Sequence, residues 1–454
     1  MSEIEAARLE TAPLIPTVPT RPLWQQAVGK LDGLVGKTAR DGMLALFDQG
    51  IASGTRFFVT LMLGRLGGPE QLGVYSLGFT FIMLLICCQE ALLAMPYTIL
   101  GNRLRGAARS GLAGSVLIHF VVLASVAVVG LVGLGIALSV AGVLPELVPV
   151  LYVVAGALPL ILLLELARRF AYAHFKVAQA VLLDTAVALA LIGSLSGLAW
   201  SGRLSATSAY AVMGLICGTV GAVWLVLERR VFLVRPARVF HDFRRNWVSG
   251  RWILAGQLTL VVRGNILHWL LALVLSTAVT GVFFACETLV LLANPLLMGV
   301  ANVLVPGAAR AFAQGGASAV RRVVHRATLL LGALTTILAV LFIVLGNRFL
   351  GLVYGDDFSG HQALITLLAL ATLAEALGTA SYNGLWAIER SGAGFAASLL
   401  GLAVMVGVAA VAIPLWGICG SAWGLFLGKT VASLFQYLAF RKYVRHMARE
   451  GSPT

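Results

Sequence analysis

Three cationic side chains, Arg56, Arg263 and Lys429, stand within long apolar runs. An ionised group in hydrocarbon costs roughly 2.5–3.5 kcal/mol on insertion scales, so each needs a water-filled cavity, a partner or an interface. Gln49, Ser53, Arg56 and Thr60 recur at i, i+4, i+7 and i+11, which places them on one face of a helix. The run that begins near Ile253 repeats the theme with Gln257, Thr259, Arg263, Asn265 and His268, and Lys429 stands among Gly428, Thr430 and Ser433. Three cations on three helices can converge on one anion, with Gln49, Ser53, Thr60 and Gln257 as polar lining. The carboxylates Asp48, Glu90, Glu165, Asp184, Glu287 and Glu375 lie in or beside the same runs. Glu165 has Arg168 and Arg169 at i+3 and i+4 and reads as an ion pair at a helix end. Glu90, Glu287 and Glu375 have no local partner. With Asp48 they are candidates either to pair with the three cations or to carry a coupling proton or sodium ion, and both roles stay open.

The elements that must position these groups follow from composition. Of 454 residues, 59% are hydrophobic and 11% charged, with a mean hydropathy of +0.93. A water-soluble domain of this size needs more charge on its surface, which excludes a soluble enzyme, a disordered scaffold and a disulfide framework. Apolar stretches of about 20 residues predict an all-α polytopic membrane protein with about 12 transmembrane helices. They cover 43–64, 74–97, 114–140, 147–171, 178–200, 208–227, 253–275, 282–306, 327–345, 363–388, 395–416 and 418–440.

The net charge of +14 is explained by topology. With the N-terminal tail taken as cytoplasmic, 27 Lys and Arg fall in cytoplasmic segments and three, Arg65, Arg203 and Arg348, on the other side. That asymmetry predicts an even helix count and both termini in the cytoplasm, and leaves no reason to invoke nucleic acid. The predicted division is a flexible tail (1–40), a six-helix bundle (41–228), a basic cytoplasmic linker (229–250), a second six-helix bundle (251–440) and a basic tail (441–454). A shift of 210 residues superposes Pro96 on Pro306, Glu165 on Glu375 and Tyr172 on Tyr382, consistent with a 6+6 repeat. Small-residue ladders at Gly50/Gly54, Gly214/Gly218 and Gly420/Gly424/Gly428 read as helix packing.

Chemistry beyond transport finds little footing. Cys87, Cys88, Cys217, Cys286 and Cys419 lack CxxC spacing and neighbouring histidines, so no metal or other cofactor is expected. His119 and His268 read as hydrogen-bonded structure, and Asp356–Asp357 as an exposed turn. There is no Walker A loop and no HExxH, and the external connections are too short for a catalytic domain, so the chain is not expected to be an enzyme.

Three segments carry a resemblance. The stretch Asp48–Gln49–Gly50–Ile51–Ala52–Ser53–Gly54, then Phe57–Phe58, then Gly64–Arg65–Leu66–Gly67–Gly68–Pro69–Glu70–Gln71–Leu72–Gly73–Val74–Tyr75, resembles the opening of bacterial polysaccharide flippases. These belong to the multidrug/oligosaccharidyl-lipid/polysaccharide exporter superfamily. Gly281–Val282–Phe283 with Asn302–Val303–Leu304–Val305–Pro306 is similar to that family's eighth helix, and Leu352–Val353–Tyr354–Gly355–Asp356–Asp357–Phe358 to the turn before its tenth. The resemblance implies a rocking bundle in the bacterial inner membrane that flips an undecaprenyl-pyrophosphate-linked oligosaccharide to the periplasmic leaflet, using an ion gradient of H+ or Na+. It would serve O-antigen or exopolysaccharide export, with polysaccharide assembly proteins as possible partners beside the membrane lipids. The family's cationic cavity maps onto Arg56, Arg263 and Lys429; the family often has a neutral residue where Arg56 stands. Two alternatives differ in what they would need. A cation-coupled multidrug exporter would line its cavity with acids and aromatics, and an integral-membrane glycosyltransferase or polymerase would carry a long external loop of acid or arginine clusters.

Overall fold

The computed structural model describes residues 23–450, with side chains described except at 23–42, 45–46, 249, 293–303, 305–306 and 448–450. Residues 1–22 and 451–454, parts of the two predicted tails, lie outside the described residues. The described residues are nearly all helical, and among them ten helices are long and apolar enough to cross a membrane. It is a multi-pass membrane protein.

The helices are α1 (Leu23–Gln89), α2 (Met95–Gly101), α3 (Gly106–Ala141), α4 (Leu147–Ala173), α5 (Val177–Trp200), α6 (Ala206–Leu227), α7 (Pro236–Val274), α8 (Thr277–Val290), α9 (Asn294–Tyr354), α10 (Gln362–Ala387), α11 (Ser391–Trp416) and α12 (Ile418–Glu450). Because α1 starts at Leu23, residues 23–40 of the segment expected to be a flexible tail are helical. Likewise α7 starts at Pro236, so most of the basic connection continues the seventh span as helix.

Two long helices each account for more than one predicted span. The α1 rod bends at Gly68, whose φ of 78° only glycine adopts without strain, and the following Pro69 disfavours helical backbone before it. Its second arm widens into a π turn over Glu90–Ala94. Pro96 lacks the N–H that would bond the carbonyl four residues back, which is reason for the ladder to slip there. The α9 rod bends at Gly315–Gly316, with Gly316 at φ 60°. The predicted eighth span is interrupted: α8 ends at Val290, a 3-10 turn covers Leu291–Ala293, and α9 restarts before Pro295. Counted by arms, the helices supply the twelve predicted crossings.

They pack as two six-helix lobes. In the first, α4 lies against α3 and α6, and α5 against α1; in the second, α10 lies against α9 and α12, and α11 against α12. The lobes meet through α1 with α8 and through α7, whose first turns reach back to α3: Ser115 Oγ donates to Asp242 Oδ2 at 2.7 Å and a His119 ring nitrogen lies 2.9 Å from the Val239 carbonyl.

At the arginine-poor end the lobes are sealed. A Cβ on Gly73 would collide with the Thr277 carbonyl, and one on Gly281 with the Pro69 carbonyl, so two backbones cross here in direct contact. Tyr354 packs on Gly64, Arg65 donates to the carbonyls of Leu352 and Val353, and Thr277 Oγ1 donates to Glu146 at 3.1 Å. Parts of the three segments that carry the family resemblance, around Gly64–Gly73, Gly281 and Leu352–Tyr354, thus meet in one inter-lobe seam. Toward the other end the first arm of α1 keeps a free face, where a Cβ on Gly50 or Gly54 would meet nothing within 4 Å and Gln49 and Arg56 are exposed.

Candidate functional site: a charged cavity in the second lobe

A cavity of about 460 Å³ opens among α7, α8, α10, α11 and α12, closed on one side by Phe79 and Met83 from α1. Its polar wall centres on Glu375. One carboxylate oxygen, Oε1, lies 3.1 Å from Arg263 Nη2, and the other, Oε2, 2.7 Å from Lys429 Nζ. The three side chains remain 29%, 29% and 15% exposed for Glu375, Arg263 and Lys429, so the cluster borders open space. Each group comes from a different helix, and Gly428 and Gly401, whose close crossing draws α12 onto α11, bring Lys429 to the wall. A second pair faces the same space: His268 Nε2 lies 3.1 Å from Glu287 Oε2, with the imidazole edge-on to Phe283 and Phe284. Thr379, Ser398 and Asn265 add neutral polar groups. Two cations, two carboxylates and one histidine therefore share one chamber, where removal from bulk water strengthens every charge interaction.

The first lobe holds a separate ion cluster. Arg168 Nη1 lies 2.7 Å from Glu165, its Nε 2.8 Å from Asp184 and its Nη2 3.4 Å from Asp48. Arg169 bridges Glu165 at 2.7 Å and Glu90 at 2.9 Å, and the Tyr172 hydroxyl donates to Asp48. Four carboxylates surround two guanidinium groups. One oxygen each of Asp48 and Asp184 finds no hydrogen-bond donor among the described residues.

Of the residues the sequence nominated for a headgroup cavity, the structure brings Arg263 and Lys429 together and leaves the others apart. Arg56 is exposed on the first arm of α1, its guanidinium turned back to the Ala52 carbonyl at 3.3 Å and Ser53 Oγ at 3.5 Å. Arg56 is not among the residues that line the cavity holding Arg263 and Lys429, although Phe79 and Met83 of the same helix are. Gln49 shares the exposed face of Arg56, Thr60 Oγ1 bonds the Arg56 carbonyl, and Gln257 accepts from Cys87 at 3.1 Å on the seam between α1 and α7. All four acids named as pairing or ion-carrying candidates have partners: Asp48 and Glu90 in the first-lobe cluster, Glu287 with His268, Glu375 with the two cations. Sequence reasoning assigned His268 to structure, whereas it lines the cavity; its register with Arg263 and Asn265 in one polar stripe was the available signal.

Two lobes of six helices meet at one end in a close seam, and the charged cavity lies in the second lobe against α1. No family model and no curated protein matches the chain. Among solved structures it is similar to an inward-facing conformation of a multidrug resistance MATE family transporter of the MOP superfamily, with TM-score 0.74 and 15% identity over 88% of this chain and 96% of that one. It is also similar to the lipid II flippase MurJ in an inward closed conformation, with TM-score 0.65 and 13% identity over 89% and 87%. A third is a MOP superfamily transporter from Pyrococcus furiosus whose reversed binding-pocket polarity suggests a different function for that protein, with TM-score 0.62 and 13% identity over 91% and 96%. The chain has the fold these proteins share.

Proposed function

We propose that this protein is a secondary transporter that flips an undecaprenyl-pyrophosphate-linked oligosaccharide across the bacterial cytoplasmic membrane for export of a surface polysaccharide. The observation that carries this reading is the placement of Arg263 and Lys429: two cations from two helices, inside a membrane-embedded cavity, already bridged by the two oxygens of one anion. A phosphate offers the same pair of oxygens with more charge, and guanidinium and ammonium groups are its common ligands. A volume of about 460 Å³ suits a diphosphate and its first sugar, while the acyl chain stays in the bilayer. With the arginine-rich end in the cytoplasm, the seam at Gly73 and Gly281 closes the periplasmic side, and the arrangement faces inward. The bundles 41–228 and 251–440 would then rock about the basic connection 229–250, and Gln49, Ser53, Arg56 and Thr60 would line the path toward the cytoplasm. Asp48, Glu90, Glu287 and Glu375 are the candidates for H+ or Na+ coupling.

The test is replacement of Arg263 and Lys429 by Gln, singly and together, in cells that depend on this protein for surface glycan. Each single variant is expected to cut glycan export at least about 10-fold and the pair to abolish it, since losing one charge-assisted bond costs about 1.5–3 kcal/mol. Full export by the double variant at equal membrane expression removes these residues from the site. A second reading, a cation-coupled multidrug exporter, is favoured by Glu287 beside Phe79, Phe283 and Phe284, an acid and aromatics that suit an organic cation. Under that reading, Glu287→Gln loses drug resistance while the Arg263 and Lys429 variants keep it.

A further inference from the structure

We propose that Glu375 is an internal anion that holds the substrate's place on Arg263 and Lys429, so that an entering phosphate expels it and the Glu375 carboxylate takes up one proton. This inference rests on the phosphate reading above. Each oxygen of Glu375 serves one cation, 3.1 Å to Arg263 Nη2 and 2.7 Å to Lys429 Nζ, so the carboxylate holds the bridging position between them and a second anion that is to bridge both must take its place. A phosphate that wins both cations puts like charge beside a carboxylate that has just lost its partners, and both changes disfavour the ionised form. The proton comes from the aqueous phase that reaches the cavity and forms one O–H bond at Glu375; it leaves when the phosphate departs and the carboxylate returns to the cations.

The surroundings leave Glu375 as the group that must respond. The ionisable side chains facing it are Arg263 and His268 from α7, Glu287 from α8 and Lys429 from α12. The lining contributed by α11 and α1, Ser398, Gly401, Met405, Phe79 and Met83, carries no ionisable group. The helix packed behind, α9, has none between Arg326 and Arg348. Glu287 is engaged by His268 at 3.1 Å and touches neither cation. The device has a second effect: after release, the cavity does not return as two bare cations in the membrane, because the carboxylate neutralises one of them.

The experiment is calorimetric binding of geranyl pyrophosphate to the full-length protein in lipid nanodiscs, in buffers of different ionisation heat, which counts protons taken up on binding. The wild type is expected to take up close to one proton more than Glu375→Gln, and the variant, freed of its internal competitor, to bind about 10-fold more tightly near neutral pH. Comparing the two cancels the titration of the probe itself. Glu375→Asp, whose carboxylate is drawn back by one methylene, is expected to keep the proton uptake and bind more tightly than wild type, and it carries the test should the Gln variant not fold. Equal proton counts and equal affinities in wild type and Gln variant, or weaker binding by the Asp variant, overturn the inference and leave the phosphate site standing. Absence of saturable binding to wild type and variants alike overturns the phosphate site itself, and the inference with it.

Discussion

Arg168 is the hub of the first lobe, with Glu165, Asp184 and Asp48 within 3.4 Å of its guanidinium. Its side chain is 21% exposed and those of the three acids 10% or less, so replacing it strands carboxylates where water cannot screen them. Arg168→Gln is expected to cost about 3–5 kcal/mol, read as a lower thermal midpoint in detergent, because breaking a buried pair leaves uncompensated charge. Asp184→Asn, which removes one of four negative charges, is expected to cost less. An unchanged midpoint for Arg168→Gln would mean that the acids do not depend on it. The Glu165 pairs with Arg168 and Arg169 were legible in the sequence because i+3 and i+4 neighbours share a helix face. Asp48 and Asp184 were not assigned to Arg168, since their contacts with it are made between helices. The same limit applies to Arg56, since hydropathy does not fix which other helices a cation in an apolar run faces.

Helix packing shows where spacing was informative and where it was not. Gly214, Gly218 and Gly221 seat α6 on Ala157, Leu160 and Leu163 of α4, and Gly420, Gly424 and Gly428 seat α12 on α11. Gly50 and Gly54 have the same four-residue spacing, yet a Cβ at either would meet nothing within 4 Å among the described residues. Gly428→Leu is therefore expected to disrupt the second lobe and displace Lys429 from the cavity, lowering folded yield in fluorescence size exclusion, whereas Gly54→Ala is expected to be silent. Loss of fold in Gly54→Ala would reveal a packing partner for this face in the folded protein. Between elements, Lys176 ties the turn after α4 to Glu228 at the end of α6 at 2.6 Å. The Lys176 hydrogen bond, with Gln179 adding a second, holds the Glu228 carboxyl below its ordinary range. A depressed carboxyl stabilises the fold above its unfolded value and loses that contribution as pH falls through the lowered one. Lys176 is half exposed and solvent screens the pair, so Lys176→Gln should shift acid stability by less than about 1 kcal/mol.

Glu165 and Glu375, 210 residues apart, each bridge two cations in the fourth helix of their lobe. The lobes thus repeat one motif in two environments: closed among carboxylates in the first, open to a cavity in the second. Sequence revealed an all-helical, multi-pass chain because hydropathy is local along it. It could not reveal the seam, since the proximity of Gly73 to Gly281 is a property of how the lobes dock. If the lobes rock, that seam must open in every cycle. Glu146 and Thr277 face each other across it at 3.1 Å, so cysteines at 146 and 277, in a background lacking Cys87, Cys88, Cys217, Cys286 and Cys419, can be joined by a short bis-methanethiosulfonate. Joining them is expected to stop transport, and reductant to restore it, while either single cysteine treated alike stays active. Transport at an unchanged rate with the two residues joined would show that the lobes need not part at this end, and alternating access through the cavity at Glu375 would fall.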